Sequence, residues 1–308
     1  MNIKKICFIG KRNSYEKVFY ESIKDPNLDV LVLDDELIAK QYTYYDKLPS
    51  FIQKYLQFNY LKNYFQKNQD THFIFHEREK ILQRVLKYLN KYDSRSFKGY
   101  LLIRNPLQGA SSEILHLIDL LKDKNLYIGT FDTNDAKSFD IEFYNQYASK
   151  VDSVNTQNCN FDFSFVGKNK DRKSLIESIE ANLSKENFKT KFKIIESDVQ
   201  RIPYTEYLDF ILDSKCLIDI VQKNQSGLTL RPLEALFYSR KLLTNNPMII
   251  KEDFYHPNNI MIFNENEIDI DELKEFMKKP LINLPQSIVD QYMVENVINK
   301  IIESHYLN

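Results

Sequence analysis

The 308-residue chain has only 6 glycines, 9 prolines and 3 cysteines, and no tryptophan. Ordinary usage of roughly 7% would supply about 20 glycines, so residues that let backbone hug a phosphate are scarce. Neither G-x-x-x-x-G-K-[ST] nor G-x-G-x-x-G can be written anywhere in the chain. P-loop NTPases and the usual dinucleotide fingerprint are thereby excluded. The cysteines are odd in number, and Cys7 and Cys216 lie inside apolar runs, as small core residues of a reducing compartment do. Basic excess is also lacking: the formal net charge is −1, which argues against a nucleic-acid partner. No apolar stretch approaches the roughly 18 residues of a membrane span, and Met1 leads into a strand-like run without a signal-peptide pattern. The expected location is the cytoplasm, with a peripheral position at the inner face of the cell membrane left open.

What the chain does have is 43% hydrophobic and 28% charged residues, including 20 Tyr and 21 Phe. That composition fits a soluble globular protein with a sizeable core, and the length suggests two domains of roughly 150 residues each. Short continuous apolar runs alternate with helical patterns, the signature of parallel sheets buried on both faces. Strands are expected at 4–9, 29–33, 100–103 and 126–131, with a Tyr/Phe/Lys-rich helical region over about 36–91, broken near Pro49 and at 69–71. Ser111 or Ser112 is positioned to cap a helix running to Lys122. The polar, aperiodic stretch 149–160 marks a domain boundary, after which strands recur at 161–166, 191–195, 216–221, 241–244 and 260–263. Helices at 269–278 and 286–304 close the chain. The expected fold class is α/β, with two Rossmann-like lobes whose open parallel sheets face a cleft. Domain 1–150 is the acceptor-side lobe with a helical insertion, 151–285 the nucleotide-binding lobe, and 286–308 a terminal helix that could cross back to the first lobe.

The stretch CLIDIVQKNQSGLTLRPLEALFYSRKLLTNN, from Cys216 to Asn246, carries most information. A buried strand leads into a loop with Ser226, Gly227, Leu228 and Thr229. Pro232 sits at a first helical position, and Glu234 falls in the first turn. Free N–H groups of such a loop and helix start attract anions, and a first-turn carboxylate can accept two vicinal hydroxyls. This block resembles the nucleotide-sugar-binding segment of GT-B glycosyltransferases, especially bacterial enzymes of capsule, exopolysaccharide and lipopolysaccharide synthesis. The matching residues are Ser226, Gly227, Thr229, Arg231, Pro232, Glu234 and Ala235. The segment 163–168 with Arg172 is similar to the strand and basic loop opening the nucleotide lobe, and Phe131-Asp132-x-x-Asp135-Ala136 to a segment closing the first lobe. The likeness covers about residues 100–250. One departure stands out: retaining families often carry a second Glu eight positions before the one matched by Glu234, and Ser226 occupies that place.

The resemblance implies that Gly167, Lys168, Arg172, Ser226, Gly227, Leu228, Thr229 and Arg231 bind a donor diphosphate and Glu234 the ribose. Lys168, Lys170 and Arg172 could equally be a solvated charge run, and Glu234 a carboxylate favouring the helix dipole. Asp219, inside an apolar strand, reads as a hydrogen-bonded structural group. In the first lobe Asp132, Asp135 and Glu113 are candidate bases, with turn or capping roles as the alternative. Arg104, Asn105 and Gly10 are the acceptor-side candidates. His72 and His76 share a THFIFHERE stretch at i, i+4 spacing, but no third ligand suggests a metal. The aromatic, Lys-rich segment 42–67 could rest on an anionic membrane surface or pack on the first lobe with Lys stems at the rim.

The expected activity is metal-independent transfer of a sugar from a nucleoside diphosphate sugar, with UDP the first choice of nucleotide. The acceptor would be a hydroxyl of a bacterial surface glycan or lipid-linked oligosaccharide, and no cofactor is needed. The alternatives are a non-catalytic binding or assembly protein on the same scaffold and a nucleotide-sugar epimerase.

Overall fold

A computed structural model describes all residues except 1–2, 11–13, 34, 93–95, 153, 155–158, 170–171, 198–201, 222–225, 265–267 and 307–308. The chain divides into two compact units, Met1–Tyr144 with Ile298–Asn308, and Asn145–Val297.

The first unit holds a six-stranded sheet in the order β2-β1-β3-β4-β5-β6, every pair parallel. Its strands are β1 Lys4–Ile9, β2 Leu28–Leu33, β3 His72–Phe75, β4 Lys98–Ile103, β5 Tyr127–Thr130 and β6 Glu142–Phe143. Helices α1 Ser14–Glu21, α2 Asp35–Ala39, α3 Ser50–Lys67, α4 Glu79–Lys91, α5 Ser112–Lys122 and α6 Thr133–Phe139 connect them. In β1 the run Ile6–Ile9 is buried at every position, which is what helices on both faces of a parallel sheet require. Ser111 caps α5, its Oγ accepting from the Ile114 amide at 3.3 Å.

The expectation that helical character resumes directly after the break at 69–71 is overturned. His-Phe-Ile-Phe forms β3, a central strand paired with β1 on one side and β4 on the other. Four consecutive apolar or aromatic residues cannot be told apart as helix or strand by period alone. The vacancy between two parallel strands decides it, and all four residues are buried.

The second unit holds a five-stranded parallel sheet in the order β11-β10-β9-β7-β8. Its strands are β7 Phe161–Lys168, β8 Thr190–Ile195, β9 Ser214–Asp219, β10 Lys241–Thr244 and β11 Ile260–Ile262. Between and after them run α7 Lys173–Lys185, α8 Tyr204–Leu212, α9 Arg231–Phe237, α10 Ile270–Lys278, α11 Gln286–Asp290 and α12 Val294–Tyr306. The single helix expected at 286–304 is therefore two. The break is pinned by Ala148, whose N–H donates to Tyr292 O at 3.1 Å and whose carbonyl accepts from Val294 N at 3.0 Å.

From Ile298 onward α12 belongs to the first unit. Lys4 Nζ, at the start of β1, lies 2.8 Å from Glu303 Oε1, and Asn299 Nδ2 donates to Asp25 at 3.1 Å. His305 sits edge-on against the rings of Tyr100 and Tyr127.

Candidate functional site

Strand order locates a ligand site in an open parallel sheet: the place where consecutive connections leave in opposite directions, beyond the carboxyl ends of the strands. In the second unit the chain leaves β7 for β8 on one side and returns to β9 on the other. The β7–β9 pairing runs only from Phe161↔Ser214 through Ser164↔Leu217. Past that point two guanidinium groups join the strands. Arg231 Nη1 donates to Ile218 O at 2.6 Å and Nη2 to Val166 O at 2.7 Å. Arg172 repeats the arrangement further along, donating to Ile220 O and, at 3.2 Å, to Lys168 O.

Around this seam lies a buried polar network. Asp219, at the end of β9, accepts from the hydroxyls of Thr229 at 2.8 Å and Thr244 at 2.9 Å. Burial raises its carboxyl above the usual range, opposed by those bonds and by nearby Arg231 and Arg172. A bonded carboxylate is what a charge inside an apolar strand demands. Thr229 in turn accepts from the Arg231 amide at 3.2 Å through its hydroxyl, and Pro232 has no N–H to offer. Two donor positions at the start of α9 are thus already taken or absent, so the helix start offers less to an anion than the sequence pattern implies. The loop before it is anchored by Gln146, whose Nε2 donates to Leu228 O at 3.0 Å.

Glu234 is 1% exposed and turned into the unit. Its oxygens accept from Tyr204 at 3.0 Å and Tyr207 at 2.5 Å, and Arg231 Nε lies 3.4 Å away. Burial raises its carboxyl, with Arg231 and both tyrosines acting in the opposite direction. A ribose bound there would have to displace the tyrosine hydroxyls. Of the proposed diphosphate residues, Gly167 and Lys168 are half-buried at the end of β7, Arg172 is half-buried at the N-cap of α7, Ser226 and Thr229 are half-buried in the loop, and Gly227, Leu228 and Arg231 are buried. Lys170 lies outside the described residues.

The first unit has its own reversal, between β1 and β3. Gly10 follows β1 at φ +69, a left-handed conformation that favours glycine, and a Cβ there would come within 3.1 Å of Ile81. Beyond β3, Glu77 is buried and accepts from the Arg104 amide at 2.9 Å and from Asn105 Nδ2 at 2.5 Å. His76 is buried too, with Nδ1 donating to Leu102 O at 2.8 Å and Nε2 against the Tyr20 hydroxyl. Arg104 and Asn105 are therefore brought together with Glu77, a residue that no local sequence pattern singles out.

Asp132 is the N-cap of α6, accepting from the amides of Asn134 at 2.9 Å and Asp135 at 3.2 Å. Asp135 accepts from the Leu107 amide at 2.6 Å, and burial raises its carboxyl. Glu113 is exposed in the first turn of α5, its carboxyl lowered by its own backbone amide and by Ser111 and Ser112. His72 bonds the Tyr100 hydroxyl through Nδ1 at 2.8 Å, and burial holds it down at about 4, with Lys98 and Lys4 adding to the effect. Among the described residues no group of His, Cys, Asp and Glu is arranged to hold a metal ion, and no helix is long and apolar enough to cross a membrane. Tyr204 and Tyr207 also escaped the sequence reading; their one visible signal is i, i+3 spacing on a helix.

No protein-family description and no curated protein matches the sequence. Solved structures do resemble it. UDP-GlcNAc 2-epimerase from Methanocaldococcus jannaschii matches 99% of this chain and 100% of its own, with a TM-score of 0.53 at 12% identity. A second UDP-N-acetylglucosamine 2-epimerase matches 94% of each chain at TM-score 0.46 and 8% identity. An α1,3-fucosyltransferase with GDP matches 96% of this chain and 82% of its own at TM-score 0.34 and 12% identity. At such identity the first likeness carries the architecture alone: two α/β units, each on a parallel sheet, in the GT-B fold.

Proposed function

We propose that the protein is a glycosyltransferase that takes a sugar from a nucleoside diphosphate sugar, UDP first among the nucleotides, and places it on a hydroxyl of a surface glycan or lipid-linked oligosaccharide. The observation that carries this reading is the switch point of the second unit. There, half-buried Lys168 and the Ser226–Thr229 loop lie at carboxyl ends of strands locked by Arg172, Arg231 and Asp219. A rigid, cation-bearing strand edge suits a diphosphate, whose developing charge on departure a fixed cation stabilises. The resemblance of residues 216–246 to nucleotide-sugar-binding segments supports the same reading. In it Lys168 and the loop hold the diphosphate, while Arg172 and Arg231 position the strands that carry them. Arg104 and Asn105, bonded to Glu77, and Gly10 form the acceptor side.

The GT-B fold also serves nucleotide-sugar epimerases, and the similarity to UDP-GlcNAc 2-epimerase keeps that activity as the second reading. A thermal-shift series with UDP, GDP, CMP and their sugars tests donor binding. Stabilisation by a nucleoside diphosphate supports the proposal, and no stabilisation by any of them ends it. Incubation of the binding donor alone then separates the two activities: an isomerised sugar identifies an epimerase, whereas a donor consumed only when an acceptor is added identifies a transferase.

A further inference from the structure

The second unit holds a cavity of about 310 Å³, at the small end of the range for ligand pockets. Pro232, Ala235 and Leu236 of α9 form one wall, at the i, i+3, i+4 spacing of a single helix face. Glu234 points to the other side of the helix, toward Tyr204 and Tyr207. Phe254, Val289 and Met293 line the cavity from later in the chain. Ser239 and Arg240 enter its wall just before β10, and Asn259 and Ile260 where β11 starts. Because the sheet is parallel, this is its amino edge, whereas the Ser226–Thr229 loop follows the carboxyl end of β9. The cavity and the proposed donor site lie at opposite edges.

Main-chain bonds fix the walls. Asn259 holds both backbone groups of Ile282, donating from Nδ2 to its carbonyl and accepting from its amide, each at 2.8 Å. Lys150 lies between Ala148, bonded on either side of Met293, and Val151, whose N–H donates to the Tyr238 hydroxyl at 2.7 Å.

Among the described lining residues two are cations, Lys150 and Arg240, and none is an acid. The Lys150 side chain is exposed and makes no ion pair or hydrogen bond with the described residues. Arg240 is held by carbonyls: Nε and Nη2 donate to Leu212 O at 3.2 and 2.9 Å, and Nη1 to Tyr238 O at 3.1 Å. Such bonds occupy protons and leave the guanidinium charge in place. Asp290 accepts from Gln286 Nε2 at 2.7 Å and Glu252 from the Tyr292 hydroxyl at 3.0 Å, and neither lines the cavity.

We propose that this cavity binds a small organic anion, a carboxylate, phosphate monoester or sulfonate carried on a compact apolar body. The apolar walls take the body, and two cations with no acid beside them in the lining select negative charge. The inference does not depend on the activity proposed above, and its test uses no nucleotide.

Fluorescence titration of the full chain compares anilinonaphthalene sulfonate with phenylnaphthylamine, dyes that share their rings and differ in the sulfonate. The wild type is expected to take up one sulfonate dye per chain, saturably and about tenfold tighter than the neutral dye, the scale of one charge-assisted contact. Lys150→Glu should erase that preference, and Asn283→Trp, a bulky ring at an exposed lining position, should weaken both dyes. Lys168→Ala, at the opposite edge of the sheet, should change neither titration. Both Lys150 and Asn283 are exposed, and near-UV circular dichroism verifies that each variant keeps its fold. The proposal is overturned if uptake is not saturable, if the neutral dye binds as tightly, or if Lys150→Glu leaves the preference intact. It is equally overturned if Asn283→Trp changes neither titration or Lys168→Ala weakens them, because the dye then sits elsewhere.

Discussion

The guanidinium of Arg231 reaches the carbonyl of Val166, 65 residues earlier in the chain, at 2.7 Å. The same group holds Ile218 O and contacts Tyr207 and Glu234, so one side chain closes the seam that opens where the β7–β9 ladder ends. Arg231, the first residue of α9, is thus a structural side chain whose loss can be compared with that of Lys168, the cation of the proposed donor site.

Arg231→Lys keeps the charge but has no planar fork to serve two carbonyls at once. It leaves buried acceptors and the Glu234 carboxylate under-bonded, and a loss of about 3 kcal/mol in unfolding free energy is expected. Urea denaturation measures it. A loss below about 0.5 kcal/mol, the range of an ordinary surface substitution, would show that the seam does not need the guanidinium.

Lys168→Ala should behave in the opposite way. Its side chain sits at the half-buried end of β7, so unfolding is expected to change little while UDP binding weakens about tenfold, the scale of one charge-assisted contact. Isothermal titration with UDP and with uridine separates the contributions: the variant should lose affinity for UDP and not for uridine.

For Glu234 the decisive comparison is UDP against its 2′-deoxy analogue. With both oxygens bonded to tyrosine hydroxyls, Glu234→Gln is expected to lower the melting temperature and leave the discrimination between the two nucleotides unchanged. Disappearance of that discrimination would assign the carboxylate to the ribose.

Asp132 has a measurable job as a cap, bonding two amides of α6. Asp132→Ala should cost about 1 kcal/mol, and Asp132→Ser should recover most of it. If Asp132 also accepts the acceptor's proton, Asp132→Ser will be stable yet inactive in a sugar-transfer assay; retained activity removes it from the candidate bases.

His72 gives a pH signature. Burial holds it down at about 4 from its ordinary 6.5, so between these values the unfolded chain binds the proton and the folded chain does not. This group therefore makes stability fall as pH drops through that window, with a slope approaching about 1.4 kcal/mol per pH unit. Unfolding measured at intervals across the window should show that slope in the wild type and a flatter profile in His72→Gln. Equal slopes would mean that the imidazole is protonated in the folded state.

Much of the fold was written locally. Continuous apolar runs such as KKICFI and KLLT form strands with boundaries within a residue or two of those expected. Ser111 announced its helix, and the Thr229-x-Arg231-Pro232 pattern marked the turn into α9. These features depend on near neighbours: period, capping groups and fixed proline geometry. The composition likewise excluded glycine-rich phosphate cradles, because only six glycines exist to build them.

Tertiary structure decided the rest. Whether His72–Phe75 is helix or strand depended on a gap between β1 and β4, which no local signal encodes, and with it went the position of Glu77 beside Arg104 and Asn105. The direction in which Glu234 points was equally undetermined, since a first-turn carboxylate can face solvent or a partner, and Tyr204 and Tyr207 arrive from a helix some 30 residues earlier. Sequence determined which residues could carry charge and hydroxyls. Only the packing of distant strands could say which of them are held inside and which remain at the edge, because burial sets the free-energy cost of every polar group and is a property of the whole fold.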